Sequence, residues 1–357
     1  MGFLLLASAC GGGKPPAAVS SAPAAAAPAG AAAAAPAASA PAPAAPPAPT
    51  HVTVMFGTTS AQNSPFQLAE DQGIFAANGL EIEMAHAPGS AGPAALLAGQ
   101  APVLATGCVE LVNAVAGGGD FVMWLQTTDR MQYMLAGGQN VATVADLRGK
   151  RLAISRVGAD SHLATKFILS YLGLDPEQDA TYVQVGNTPD RVAALLSGSV
   201  DATILSSDEG ALMANVPGMR IIVDMTREEL PYCATSLMTM RSYVRENPDV
   251  VRRLTRAFVE ATARYKQNKA EGMAAVARFL NESDPVKVEH VWDTWQRLFV
   301  AKPYPNARGI QFIIDQAGQS DERIRALTPE QISDATWVRE LDESGFIDGL
   351  YRAPAAP

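Results

Sequence analysis

Cysteine is scarce in this 357-residue chain: there are three, and only Cys108 and Cys233 lie beyond the first fifty residues. Two cysteines in a domain of this size make neither a disulfide scaffold nor a thiolate metal cluster, and whether they pair is left open. Histidine is equally thin. None of the four stands in a His-Glu-x-x-His or Cys-x-x-Cys setting that would mark a metal site. No Gly-Lys-Ser/Thr follows the triple glycine at 117–119, which excludes a phosphate loop there. Basic charge is in deficit too. Lys14 is the sole charged residue before His51, so 27 Lys and Arg less that one leaves 26 against 36 Asp and Glu, a net charge of −10 on the remainder. An acidic domain without a basic stripe argues against nucleic acid as a partner.

The first fifty residues lack anything that could form a core. Positions 15–49 are almost wholly Ala and Pro. Recurrent Pro prevents a stable Ala helix, and the tract reads as an extended, semi-rigid spacer. Ahead of it a short apolar run closes on Ala7-Ser8-Ala9-Cys10-Gly11. This resembles the end of a bacterial lipoprotein signal peptide, with Cys10 as the lipidated residue. The run is far too short to span a bilayer. The expectation is a signal segment over 1–10, a tether over 11–50, and a domain held at a membrane surface in the periplasm or on the cell surface.

What the chain does have is a repeated unit. Ala94-Ala95-Leu96-Leu97-Ala98-Gly99, running into the apolar stretch 101–105, recurs about a hundred residues later as Ala193-Ala194-Leu195-Leu196-Ser197-Gly198 running into 200–204. Each copy follows a Gly-Leu helix stop, Gly79-Leu80 and Gly173-Leu174, at a similar interval. The spacing is too long for a solenoid and suits two lobes of similar build with a cleft between them. From His51 onward, strand and helix patterns alternate. Strands are predicted over 51–56, 80–84, 151–154, 182–185 and 202–205, and an amphipathic helix over 161–172. Ser64-Pro65-Phe66-Gln67 predicts a helix start with Ser64 as N-cap and Gln67 closing a capping box, the helix running to Asn78. The C-terminal third reads as helical over 247–268, 271–281, a Trp292/Trp295 segment, and 329–343. The fold class is therefore α/β: two lobes, each a mostly parallel sheet flanked by helices, with ligands expected beyond the carboxyl ends of the strands.

Further stretches carry a resemblance: Ala69-Glu70-Asp71-Gln72-Gly73-Ile74-Phe75, the run 144–152 reading Val-Ala-Asp-Leu-Arg-Gly-Lys-Arg-Leu, Gly198-Ser199-Val200-Asp201-Ala202, Thr328-Pro329-Glu330-Gln331, and Glu343-Ser344-Gly345-Phe346-Ile347-Asp348. Their order and spacing span about 52–351 and resemble the periplasmic substrate-binding proteins of ABC importers for nitrate, sulfonate, taurine and thiamine-precursor-type ligands. The resemblance implies a type II periplasmic-binding fold with two hinge crossings, placed near 132–136 and 232–237. Lobe 1 then spans 51–141 and 233–357, and lobe 2 spans 142–232. It implies a monomer that captures a small polar or anionic organic molecule (a sulfonate, a carboxylate or a pyrimidine-like ring) by cleft closure. Delivery would be to ABC permease and ATPase subunits, with no cofactor and no metal. The rival readings are an enzyme on the same fold, of the pyrimidine-precursor type, and a ligand-sensing partner of a receptor.

The same resemblance places the ligand between loops and helix N-termini, where free N–H groups and the helix dipole suit an anion. In lobe 1 these loops hold Thr58, Thr59, Ser60 and Asn63, then Gly107 and Cys108. In lobe 2 they hold Arg156, Ser161 and His162 around one helix start, and Asn187 and Thr188 around another. Arg156 is the candidate fork for a carboxylate, sulfonate or phosphate. Asp208, beside Glu209, is out of keeping with a simple anion and points to an amine, several hydroxyls or a ring nitrogen. Charge matching in a first helical turn would equally account for the pair. Trp124, Phe56 and Tyr232 are candidates to stack on a ring. No catalytic set emerges, and a nucleophilic Cys108 would need a base that the sequence does not place.

Overall fold

The structure is a computed structural model that describes residues 48–87, 91–213 and 216–352; the signal-like segment, Cys10 and the Ala/Pro tract to residue 47 lie outside the described residues. Among the described residues, ten strands form two five-stranded sheets. One holds β1 (Thr50–Phe56), β2 (Leu80–His86), β3 (Val103–Gly107), β4 (Phe121–Gln126) and β10 (Thr235–Met240), in the order β2-β1-β3-β10-β4. The other holds β5 (Tyr133–Gly137), β6 (Lys150–Ile154), β7 (Ala180–Gln184), β8 (Ala202–Ser206) and β9 (Arg220–Asp224), in the order β7-β6-β8-β5-β9. β1 pairs in parallel with β2 and β3, and β6 with β7 and β8, whereas β10 and β5 run antiparallel to their neighbours. Each sheet thus takes its one antiparallel strand from chain that has just crossed from the other lobe.

The sheets are flanked by α1 (Ser64–Asp71), α2 (Ile74–Ala77), α3 (Ala91–Leu97), α4 (Cys108–Ala116), α5 (Asp160–Tyr171), α6 (Thr188–Leu196) and α7 (Ser207–Met213). After β10 come α8 (Arg241–Glu246), α9 (Pro248–Gln267), α10 (Lys269–Leu280), α11 (Pro285–Leu298), α12 (Ala307–Ala317) and shorter helices to Tyr351. The repeated sequence unit occupies matching places, α3 into β3 and α6 into β8. In each copy the first Leu, Leu96 or Leu195, is buried and the second, Leu97 or Leu196, is exposed, and the Gly ends the helix so that the apolar residues beyond can enter the sheet.

Three local expectations are corrected. The helix predicted from Ser64 to Asn78 is broken at Gly73, whose φ of +66° is a left-handed conformation that costs glycine nothing, so α2 starts on a new axis. Ser64 is not the N-cap: Ala61–Asn63 form a 3-10 turn capped by Ser60, and the Ser64 hydroxyl turns back to donate to Ala61 O at 2.7 Å. The first crossing falls between Gln126 and Tyr133, ahead of 132–136, because Tyr133–Gly137 is a buried strand sandwiched between β8 and β9. That also moves the sheet boundary ahead of residue 141. Polar residues Thr127, Thr128, Asp129 and Arg130 make the linker instead. The return crossing occupies 228–234, and Tyr232 N–H donates to Asp129 O at 2.9 Å, tying the two crossings together.

The core is anchored where large side chains meet the inner sheet face. Trp124 on β4 is wholly buried, and its indole N–H donates to Thr255 Oγ1 on α9 at 3.0 Å. Phe56 is edge-on to Phe66, with centroids 5.2 Å apart. Both are core residues, which removes them from the ring-stacking candidates. The return crossing is clamped on one side by α12. A Cβ on Gly309 would stand 2.6 Å from Cys233 N and Tyr232 C, so no side chain fits. Gly309→Ala is expected to cost about 1–3 kcal/mol in urea unfolding, the range for overpacking a filled core. An unchanged midpoint would show that the crossing yields freely.

Candidate ligand-binding site

The loops after β1 and β3 in lobe 1 face those after β6 and β8 in lobe 2. Their polar groups meet on two fronts. On the first, Asp208 of α7 is 3% exposed, and its carboxylate accepts from Ser60 Oγ–H at 3.0 Å and Ala61 N–H at 3.1 Å, both in lobe 1, and from Ser206 Oγ–H at 2.7 Å. Glu209 answers to its own helix, accepting from the Ser206 N–H at 3.0 Å. Burial and the Asp208 charge push the Glu209 carboxyl upward.

On the second front, Glu110 of α4 faces Asp160 of α5. Asp160 accepts from Tyr232 Oη–H at 2.8 Å and from the Tyr133 hydroxyl. Burial raises its carboxyl while these two bonds pull it back. Glu110 Oε2 is sealed from solvent and has no hydrogen-bond partner. Burial first, and the Asp160 charge second, push the Glu110 carboxyl up to about 7, against opposing pulls from its own backbone N–H and then from Arg156. Gly107 makes room for that carboxylate, since a Cβ there would stand 2.6 Å from Oε2. Between the two fronts lies a glutamine pair. Gln62 Oε1 accepts from Gln132 Nε2 at 2.9 Å and Thr235 Oγ1 at 2.7 Å, linking the loop after β1 to the first crossing and to the start of β10. Gln132 is 8% exposed, and its own Oε1 is unpartnered.

The disulfide Cys108–Cys233 stands behind this cluster, joining the start of α4 to the return crossing across 125 positions of sequence. Cys108 also donates its N–H to Ala234 O at 3.0 Å. Both its thiol and its amide are therefore committed within the chain, and no nucleophilic thiolate exists there.

The structure spreads the other predicted residues over several duties. Thr58 and Thr59 are exposed, and Thr58 Oγ1 accepts from Ser60 N–H at 2.9 Å. Asn63 is buried and donates to Thr58 O at 3.0 Å, which shapes the loop. Ser161 accepts from Ser155 N–H at 2.9 Å. His162 Nδ1 accepts from Gly158 N–H at 3.1 Å and its ring sits edge-on to Tyr182, with burial lowering its pKa. Asn187 caps α6 by accepting from Asp190 N–H at 3.0 Å, and Thr188 Oγ1 accepts from Arg191 at 2.8 Å. Arg156 is exposed on its loop. The buried cation of lobe 2 is instead Arg191, 5% exposed, which donates to Gly186 O at 2.8 Å and Thr203 Oγ1 at 3.2 Å.

Sequence reading missed Glu110, Asp160, Tyr133, Gln62, Gln132 and Arg191. Glu110 and Asp160 each stand in the first turn of a helix that follows a lobe's strand end. Asp208 stands out as a carboxylate out of keeping with a simple anion, whereas a first-turn acid by itself reads as charge matching with the helix dipole, so Glu110 and Asp160 carry no further signal. Tyr133 and Gln132 gave none, because their place depends on where the crossing falls. An open surface cavity of about 610 Å³ is lined by Glu260, Arg264, Lys269 and Leu350. It lies on lobe 1 alone and gathers no buried polar groups from both lobes. No described helix is long and apolar enough to cross a membrane.

The sequence profile of the NMT1/THI5-like family matches residues 60–271. YtlA of Bacillus subtilis (strain 168), named only as a candidate binding protein, is 22% identical over 77% of this chain and 86% of its own length. Among solved structures, the periplasmic aliphatic sulphonate-binding protein SsuA of Escherichia coli superposes with a TM-score of 0.61 at 20% identity, covering 82% of this chain and 97% of that one. The periplasmic nitrate-binding protein NrtA of Synechocystis PCC 6803 gives a TM-score of 0.69 at 14% identity, covering 87% and 92%. These likenesses establish a shared two-lobed fold.

Proposed function

The chain belongs to the NMT1/THI5-like family, and from that premise we propose that it is the solute-capturing subunit of an ABC importer. Its two lobes close on a small organic molecule, and the closed pair is what permease and ATPase subunits recognise. The observation that carries the reading is the convergence of buried polar groups from lobe 1, lobe 2 and both crossings on one cleft. SsuA of Escherichia coli and NrtA of Synechocystis, which share the fold, are periplasmic, and a disulfide fits an oxidising compartment. Lipidation at Cys10 with the Ala/Pro tract as tether would hold a monomer there.

The lining selects among the ligand classes. Glu110 Oε2 and Gln132 Oε1 are buried acceptors without partners, and Asp160 already adds negative charge beside Glu110. A sulfonate or carboxylate would meet repulsion and no donors at these atoms. A neutral or protonated ligand offering N–H groups would satisfy them, which favours the pyrimidine-like end of the range. Thermal unfolding of the whole chain with cytosine or 4-aminopyrimidine as probe is expected to show a clear rise. A binder at about 100 times its dissociation constant adds about 2.7 kcal/mol, or roughly 5 °C. The probe should be recovered unaltered. Consumption of the probe would replace capture with catalysis, and a shift with no compound of any class would sink the reading.

A further inference from the structure

Asp208 occupies a cradle of three donors: the Ser60 hydroxyl and Ala61 amide of lobe 1, and the Ser206 hydroxyl of lobe 2. Three convergent donors drawn from two elements are what an oxyanion ligand needs. Here the oxyanion is part of the chain, 3% exposed and bonded across the lobes. We propose that Asp208 is a specificity-determining residue whose carboxylate fills the cleft's oxyanion cradle from within, so that closure needs no anionic ligand and free oxyanions are excluded. This rests on the cleft being the binding site.

Charge bookkeeping at the cradle supports the assignment. Ser206 Oγ lies 2.7 Å from both Asp208 Oδ1 and Glu209 Oε2 and has one proton to give. A protonated Glu209 can donate to Ser206, leaving Ser206 to donate to Asp208. Glu209 is the group that burial and its neighbour push toward the protonated form. One negative charge then faces three donors. A second anion entering the cradle would have to displace that charge or sit against it, and either is costly where water is excluded.

The test needs no knowledge of the natural ligand. Hydrogen exchange at the Ala61 amide would be followed by NMR in the full chain and in Asp208→Ala, and thermal unfolding would be run with and without millimolar methanesulfonate or nitrate. Losing a bond to a charged acceptor should speed Ala61 exchange about tenfold. In D208A the emptied donors should let an oxyanion raise the melting temperature, with no effect of either anion on the wild type. Unchanged exchange at Ala61, no anion effect on folded D208A, or a wild type already stabilised by methanesulfonate or nitrate would each overturn the proposal. Should D208A not be recovered folded, Asp208→Asn keeps the volume and one acceptor oxygen. A several-fold rise in Ala61 exchange then supports the proposal, and none overturns it. Failure here leaves the cytosine and 4-aminopyrimidine experiment untouched, so the two readings fail separately.

Discussion

Cys108→Ala/Cys233→Ala is expected to lose about 2–5 kcal/mol of stability in denaturant, with the same loss in the wild type under full reduction. The bond spans 125 positions, and every strand of the second sheet, β5 through β9, lies inside the loop it closes. Cross-linking so long a loop removes much of the freedom of the unfolded chain, and the chain-entropy relation gives roughly 4–5 kcal/mol at this length. The native crossing has other supports: Gln126 Nε2 donates to Tyr232 O at 3.1 Å, and α12 packs against the same backbone. The double variant should therefore fold to the same cleft and unfold at lower denaturant. Reductant should move the wild-type midpoint and leave the variant's alone. Equal midpoints for reduced and oxidised wild type would mean that the bond does not constrain the unfolded chain as argued.

The sequence made the scaffold legible because the scaffold is periodic. Gly79 and Gly173 end helices at a left-handed φ in both lobes, and the two Ala-Ala-Leu-Leu copies lead into corresponding parallel strands. Those signals are local, and local rules read them. The crossings were harder. Tyr133–Gly137 reads as a short apolar run that could be hinge or strand, and its insertion beside β8 decides it. The site was legible by loop and not by role. The loops at 58–63 and 206–209 do meet, but they meet each other, because an aspartate in one satisfies donors in the other. Whether a polar side chain caps its own helix, as Glu209 does, or reaches across a cleft, as Asp208 does, turns on long-range geometry that adjacent residues do not encode.

Glu110→Gln is expected to make the ligand-free protein more stable at pH 8 by about 3 kcal/mol, and to flatten part of its pH profile. The Glu110 carboxyl is raised from 4.5 to about 7 by burial and by Asp160. A raised carboxyl means the folded chain holds a proton that the unfolded chain releases, so stability falls as pH rises through this window. Below pH 4.5 both states are protonated and the group costs nothing. Above 7 the folded state carries a buried charge whose Oε2 has no hydrogen-bond partner. At 1.36 kcal/mol per pKa unit, the interval comes to about 3 kcal/mol. Glutamine has the shape of the protonated acid and does not titrate, so the variant and wild type should agree near pH 4 and diverge toward pH 8. Glu209 and Arg156 remain in both chains, and because the Glu110 and Asp160 carboxylates repel each other, the difference between the two profiles reports on that pair. Parallel profiles from pH 4 to 8 would mean that Glu110 is hydrated in solution. A ligand that donates to Oε2 should instead favour the charged form and bind the wild type more tightly than E110Q. The carboxylate thus weakens the empty cleft and strengthens the filled one, which is the pattern expected of a binding residue and the reverse of a structural one.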